Sequence, residues 1–399
     1  MRRATPLVLL MLLALIAPHP NLRSDPAYAA VSLGQVKIVS FVAATTTSLK
    51  LSWPKVKNAK SYELELADNY EMAGRASTKV PAASSRRARF VISGLTPGKT
   101  YCVQVRAKSG KNYGTRSKRT CKPTIALRGA ATGSAYRVMT YNVCAQACKG
   151  DPDAASWRKR SALAKSLIMG QSPDIVALQE HPHSVGKLLT TKLSTTYAAT
   201  TYMSAKDLLY KKSRFSLPSG RTGSIELGPT KYAVWAELED KKTNQRVIFV
   251  SVHLTDGKSS ADDSARRSET INLVSGVAQI NTRDVPVVFA GDFNSNKSRQ
   301  TDAPAEVFRG HGFYDSYDLA SRLKRPNWNS AADFSSAPGK PRKSPKWGDH
   351  VDRVFVRAAS SYVSGWVSPA EMKNSKKYAS PMPSDHKPVV VSVWVNRQS

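Results

Sequence analysis

Asn142, Glu180, His253, Asp292, Asn294, Asp352, Asp385 and His386 share a property that each would lack alone: every one sits at or beside the end of a short apolar run. Tyr136 to Tyr141 leads into Asn142, and Ile175-Val176-Ala177-Leu178 runs into Gln179 and Glu180. Phe249 to Val252 precedes His253, and Val287 to Ala290 precedes Gly291-Asp292-Phe293-Asn294. Asp352 stands in the run His350 to Val356, and Ser384-Asp385-His386 opens the last such run. Carboxylates and amides are hard oxygen donors suited to Mg²⁺, Mn²⁺ or Ca²⁺. Imidazoles exchange protons near neutral pH. Oxygen donors plus imidazoles, without paired cysteines nearby, suit hydrolysis of a phosphate ester, in which a cation neutralises phosphoryl oxygens and a histidine handles the proton of the attacking water. Taken singly, a strand-end histidine is more often a structural hydrogen-bonding group, and Gly-Asp-Phe-Asn is an ordinary turn sequence. It is the ordered set that carries the signal.

The elements that must hold these residues change character along the chain. From Val36 to about Lys122 the hydrophobic pattern has period two in short runs, such as Ser48 to Trp53, Tyr62 to Leu66 and Tyr101 to Ala107, which predicts an antiparallel sandwich. From about residue 136 strand-like runs alternate with helical spacing, at Ser156 to Gly170 and about Asp263 to Ile280, which predicts a layered α/β or α+β domain. The small, polar stretch 125–135 between them reads as a linker. Met1-Arg2-Arg3, the apolar run Pro6 to Ala17 and Ala27-Tyr28-Ala29 read as a secretory signal peptide over 1–29, so the mature chain (30–124, then 136–399) is expected outside the cell, with no membrane-spanning segment and as a monomer. Four cysteines in an exported chain favour disulfides; Cys102 with Cys121 and Cys144 with Cys148 is the economical pairing among three.

Of 399 residues, 60 are Lys or Arg and 29 are Asp or Glu, a formal charge of +31, with 41% hydrophobic residues. That excludes wholesale disorder, collagen and a polytopic membrane protein. The excess charge points to a polyanionic partner: nucleic acid, another phosphate ester, or an anionic cell or membrane surface. It is shared between both regions, with 18 basic and 4 acidic residues from Ala30 to Thr124, and 39 against 24 from Ile125 onward.

In the first region Trp53 and Ile92-Ser93-Gly94-Leu95-Thr96-Pro97-Gly98-Lys99-Thr100-Tyr101 resemble a fibronectin type III module with its tyrosine corner. In the second, seven motifs resemble, in order, the endonuclease/exonuclease/phosphatase superfamily with its deoxyribonuclease I-like fold. They are Met139-Thr140-Tyr141-Asn142, Leu178-Gln179-Glu180, Leu208 to Lys211, Ser251-Val252-His253-Leu254, Gly291 to Asn294, Val351 to Val354 and Ser384-Asp385-His386. The resemblance implies an all-β fibronectin type III sandwich followed by a four-layered α/β sandwich. It also implies divalent-metal-dependent hydrolysis of phosphate esters, with Glu180 as metal ligand, Asn142 beside it and Asp385 at a second metal position. His386 would be the base, or the proton-handling partner of the attacking water, oriented by Asp352; Asp292 and Asn294 would position water and phosphate, and His253 would donate to the phosphate or the leaving oxygen.

Two positions depart from the deoxyribonuclease branch. Tyr202 matches its active-site tyrosine, but Ser204 stands where an acidic residue is expected, and Lys231 stands where that branch has a phosphate-contacting arginine. For the substrate, the segment Asp318 to Asp349 interleaves basic residues, Arg325 and Lys343 among them, with Trp328 and Trp347, as in surfaces that track phosphates and stack bases. The reading is a secreted nuclease acting on DNA or RNA. A sphingomyelinase-like phospholipase or other phosphatase of the superfamily is the alternative, and a non-catalytic cationic adhesin is the alternative from another class.

Overall fold

The computed structural model describes residues 32–68, 72–82, 86–125, 133–145, 156–299, 301–332, 334–335, 348–374 and 377–397. The expected signal peptide over 1–29, most of the linker, Cys148, Lys343 and Trp347 lie outside the described residues.

Alternation builds the first region as read. In Ser48–Pro54, Leu49, Leu51 and Trp53 are buried while Lys50 and Pro54 face solvent. This strand pairs antiparallel with Ser40–Thr45 on one side and Arg87–Ile92 on the other. The second sheet runs Ala76–Pro81, Ser61–Ala67, Thr100–Ser109, Asn112–Tyr113, with Thr120–Pro123 also pairing to Thr100–Ser109. Between the sheets Trp53 meets Tyr62 edge to face, with Leu64, Val103 and Val105 around them. The Tyr101 hydroxyl accepts a hydrogen bond from the Thr96 amide at 3.0 Å, closing the expected corner. Cys102 and Cys121 stand directly opposite on adjacent strands and are disulfide-bonded. Cys144 is also disulfide-bonded, and its expected partner Cys148 lies outside the described residues.

The second region has four layers. One sheet runs Tyr197–Ala199, Asp207–Lys211, Ile175–Gln179, Gly133–Asn142, Val389–Asn396, Ser361–Val367, Leu323–Lys324. The other runs Phe215–Ser216, Lys231–Asp240, Arg246–His253, Val287–Asp292, Asp352–Arg357, Phe313–Asp315, with Thr222–Gly228 paired to Lys231–Asp240. Both sheets mix parallel and antiparallel pairs. The core between the sheets holds Val138, Ile175, Ala177, Phe249, Val288, Val354 and Val391. Helices Trp157–Gln171 and His183–Leu193 cover the outside of the first sheet through Ala164, Ile168 and Leu189. Helices Ser260–Ile280 and Ala303–Gly310 cover the second through Leu273, Val277 and Phe308. The long helix starts with a capping box, the Ser259 hydroxyl accepting from the Asp262 amide while the Asp262 carboxylate accepts from the Ser259 amide. Gly133, Ser134 and Ala135, read as linker from their small side chains, are the start of a strand paired to Asn396, Val395 and Trp394.

The two regions touch. Lys122, on the last strand of the first, is buried with its ammonium 3.6 Å from the Asp318 carboxylate of the second. Burial lowers the ammonium pKa, and Asp318 opposes that shift. Asp318 also binds Lys297, and Thr100 hydrogen-bonds the Tyr314 hydroxyl.

Candidate active site

The alternation that fills the intersheet core also delivers the polar residues to one end of it. Along Gly133–Asn142, Tyr136 and Val138 face the opposite sheet, and Asn142 has the same parity. Ile175 and Ala177 lead likewise to Gln179, Val247 and Phe249 to His253, Val288 and Ala290 to Asp292, and Val356 and Val354 to Asp352. Register then lines them up: Gln179 opposes Asn142, and His253, Asp292 and Asp352 stand side by side on three adjacent strands. A period of two therefore makes an apolar wall and, where the wall ends, a polar rim.

Asp292 is the pivot. Its Oδ2 accepts from Asn142 Nδ2 at 3.1 Å and lies 3.7 Å from His253 Nε2 and 3.8 Å from His386 Nε2. Asn142 Nδ2 also donates to Glu180 Oε1 at 2.8 Å, and His253 Nε2 lies 4.0 Å from the same oxygen. His386 Nδ1 is 2.8 Å from Asp352 Oδ2. Glu180 and Asn294 adopt left-handed backbone, φ 51° and 48°, conformations that cost non-glycine residues roughly 1–3 kcal/mol and must be held by their surroundings. Asn294 is held by its amide to Asp292 Oδ1 and its side chain to the Leu254 carbonyl. At Gly291 a Cβ would come within 2.1 Å of the Val252 carbonyl oxygen, so the close approach of these two strands requires glycine.

The site's charges are displaced by burial and by one another. The Glu180 carboxyl is pushed up by burial, with Asp385 and Asp292 adding to the effect. Asp352 is also raised, by burial above all. Asp292 goes down, because the fields of His386 and His253 outweigh its burial. His386 is raised to about 10: burial disfavours the imidazolium, but Asp352 and Asp292 outweigh it. His253 is pushed down to about 4 by burial, with Lys206, Lys231 and His386 reinforcing the shift against Asp292. One imidazole is thus held charged and the other neutral, each within 4 Å of the same Asp292 oxygen.

A divalent cation fits this donor set. Asp292, Asp352 and His386 offer ligand atoms all within 4.8 Å of one another, and Asp352 Oδ1 is buried without a hydrogen-bond partner. The Glu180 side chain, 42% exposed, opens the cluster to solvent. Glu180 and Asp292 would hold the ion, where it would offset carboxylate charge and polarise a phosphoryl oxygen. Asn142, expected beside the metal, turns its amide nitrogen to both carboxylates while its Oδ1 accepts from the Cys144 amide, so it orients them and does not ligate. Asp385 is tied to Ser384 Oγ at 3.0 Å and acts on Glu180 through its charge.

The other residues singled out from sequence are placed differently. Tyr202 stacks on His183 at 3.5 Å, and its hydroxyl accepts from the His183 and Ala205 amides. Lys231 lies 3.9 Å from Glu269, and its charge reaches His253. Arg325 donates to the Ala370 carbonyl and covers the Trp328 ring, which meets Tyr378 edge to face in a small core with Phe334 and Met382. Arg325 and Trp328 therefore pack into a cluster of their own. Lys343 and Trp347 lie outside the described residues.

Three contributors were given no role from the sequence. Ser330 Oγ accepts from the Val351 and Asp352 amides, and Ser251 Oγ accepts from Gln179 Nε2, tying the sheets together beside the site. Lys206 is buried, donates to the Ser204 carbonyl, and has its pKa pushed down to about 8, by burial first and Lys231 next. A serine in a loop gives no signal, but a lysine opening the run Asp207-Leu208-Leu209 was visible.

Layers and register bring to one rim the carboxylates and imidazoles that hydrolysis of a phosphoric ester would use. The sequence pattern of the endonuclease/exonuclease/phosphatase family matches residues 139–386, and that of the fibronectin type III domain matches residues 34–121. The chain belongs to the endonuclease/exonuclease/phosphatase family, whose enzymes depend on a divalent metal, and carries a fibronectin type III domain in front of its catalytic domain. Among solved structures, a family protein from Bacteroides thetaiotaomicron is similar, with a TM-score of 0.53 and 18% identity over 66% of this chain and 99% of that one. One from Bacteroides vulgatus has a TM-score of 0.52 and 19% identity over 66% and 100%. A mannosyl-6-phosphatase from Bacteroides thetaiotaomicron has a TM-score of 0.51 and 18% identity over 65% and 99%. At these identities the likeness is one of fold.

Proposed function

We propose that the protein is a secreted, Mg²⁺- or Mn²⁺-dependent nuclease that hydrolyses phosphodiester bonds of DNA or RNA. The observation that carries this reading is the joining of the Asn142–Glu180–Asp292–His253 and Asp352–His386 contacts into one solvent-open cluster, in a chain of formal charge +31. Asp352 holds His386 by Nδ1 and so leaves Nε2 turned toward Asp292. Held charged, the ring donates the Nε2 proton to a phosphoryl oxygen, and the neutral ring that remains takes one from water. His253, held neutral, supplies a hydrogen-bonding group on the opposite side of Asp292. A cation at Glu180 and Asp292 would supply the remaining charge stabilisation.

The test is cleavage of supercoiled plasmid, single-stranded DNA, RNA, a sugar phosphomonoester and sphingomyelin vesicles with Mg²⁺, Mn²⁺ or chelator, beside His386→Ala. Nicking that needs metal and is lost in the variant is the expected result. Release of inorganic phosphate or choline phosphate with intact polymers would move the protein to another branch of the family, and chelator-resistant nicking would sink the mechanism.

A further inference from the structure

The acidic residues of the fibronectin type III domain are segregated. Glu63, Glu65 and Asp68 lie in or just after the strand Ser61–Ala67, on the larger sheet, and the fourth, Glu71, follows Asp68 by three positions in the sequence. Those with described partners are committed to cations there: Glu63 to Arg106, Glu65 to Arg75 and Arg116, and Asp68 to Lys99. The three-stranded sheet has no carboxylate in any strand, and the sequence from 32 to 60 and from 86 to 100 contains none. A surface charged only for solubility would mix its signs.

Register decides what this sheet shows to solvent. Leu49, Leu51, Trp53, Ala88 and Ile92 point into the core, so Lys50, Arg87 and Arg89 point out. Val91 opposes Lys50, Arg89 opposes Ser52 and Arg87 opposes Pro54, while Val42 opposes Lys50 from the other neighbour. Arg87 and Arg89 therefore stand roughly 7 Å apart along one strand, and Lys50, opposite Val91, is displaced from Arg89 by about 5 Å across the sheet and about 7 Å along it. Val42 and Val91, 44% and 49% exposed, are the apolar part of the face. No aromatic side chain points outward from these strands, as an inserting membrane surface would favour.

We propose that the outward face of this three-stranded sheet, built on Lys50 and Arg89, is a second nucleic-acid site that grips the phosphate backbone while the catalytic domain cuts. The proposal rests on the nuclease reading and adds where the polymer is held away from the reaction. Such a contact is independent of base sequence and strongly salt-dependent, and it raises the effective concentration of polymer at the active site without altering the chemistry.

The test uses the full chain carrying His386→Ala, so that polymer survives, and follows fluorescence anisotropy of labelled single-stranded and duplex DNA across a KCl series. Lys50→Glu with Arg89→Glu is compared with Lys111→Glu with Lys118→Glu, an equal charge change at exposed positions in the connections between strands of the larger sheet. The expected result is a tenfold or greater weakening for the first pair, with the slope of log affinity against log salt falling by about two, and less than twofold weakening for the second. In the active background the face variants keep wild-type hydrolysis of bis(4-nitrophenyl) phosphate, which is too small to span both sites. Equal weakening by both pairs, or by neither, overturns the proposal. So does loss of binding to phosphatidylserine vesicles with DNA binding intact. Failure of the nuclease reading shows separately, as intact plasmid in the wild-type assay.

Discussion

His386 and Asp352 divide one task between them. The carboxylate fixes the ring by Nδ1 and keeps it charged, and the ring presents its other nitrogen to Asp292. Asp352→Asn keeps the shape but loses the charge that orders the proton, so kcat should fall by ~10²–10⁴-fold with little change in KM. A variant with wild-type kcat would remove the pair from the mechanism. Lys206 makes a different case, since a buried lysine costs stability unless it serves something. Lys206→Met should leave the melting temperature unchanged or higher while raising KM for polymer about tenfold, because it removes a cation whose charge reaches His253. A variant that melts early with normal KM would mean the ammonium serves packing alone. The carboxylates and imidazoles were legible because each interrupts an apolar run. Ser330 and Ser251 were not, because a serine hydroxyl fits any turn or strand and only the fold shows which amide it meets.

Strands place the site, and their tolerances are tight. The alternation Val288, Ala290, Asp292 continues from core to chemistry without a break, so no displacement of this strand spares the site. Gly291→Ala would drive a methyl into the Val252 carbonyl, and both strands are buried on both faces. The expected cost is about 1–3 kcal/mol, read by denaturant unfolding, with an additional loss of activity as Asp292 moves off His253. Full activity at reduced stability would show that the rim is less dependent on strand spacing than its distances imply. At this scale the layering followed from the resemblance that the motifs carry, and helices Trp157–Gln171 and Ser260–Ile280 followed from periodicity. Helix His183–Leu193 was passed over because Gly186 and paired threonines dilute its pattern; the glycine is required where a Cβ would meet the buried His181 ring at 2.8 Å. The segment after Asp318 read as an open basic and aromatic surface, yet Arg325 and Trp328 spend themselves on each other and on Tyr378. Composition cannot distinguish an aromatic offered to a base from one offered to a neighbour.

Over the whole molecule the net charge of +31 makes acid the natural route to unfolding, since each protonated carboxylate adds to self-repulsion. His350 sharpens that dependence. Its ring is buried between Trp366 and Tyr317, and its pKa is pushed down to about 3 by burial, with Lys297 and Arg353 reinforcing and Asp349 opposing. The unfolded chain takes up a proton near the ordinary histidine value of about 6.5, which the folded chain refuses. The stabilisation from keeping this ring neutral is therefore complete above about 6.5 and is lost as pH falls toward 3. His350→Phe should move the acid-unfolding midpoint, followed by circular dichroism, to lower pH; an unchanged midpoint would place the sensitivity among the carboxylates.

Lys122 alters what counts as a part of this protein. Its backbone belongs to a strand of the fibronectin type III domain, but its ammonium lies against Asp318 of the catalytic domain. A protease or a gene fusion that divided the chain at the compositional boundary would leave a catalytic half whose Asp318 keeps Lys297 alone, and a binding half with a lysine that had lost its socket. Shuffling such domains between proteins is ordinarily a matter of joining ends. Here it would also require the recipient to bring its own key, so the pair is inherited more readily together than apart.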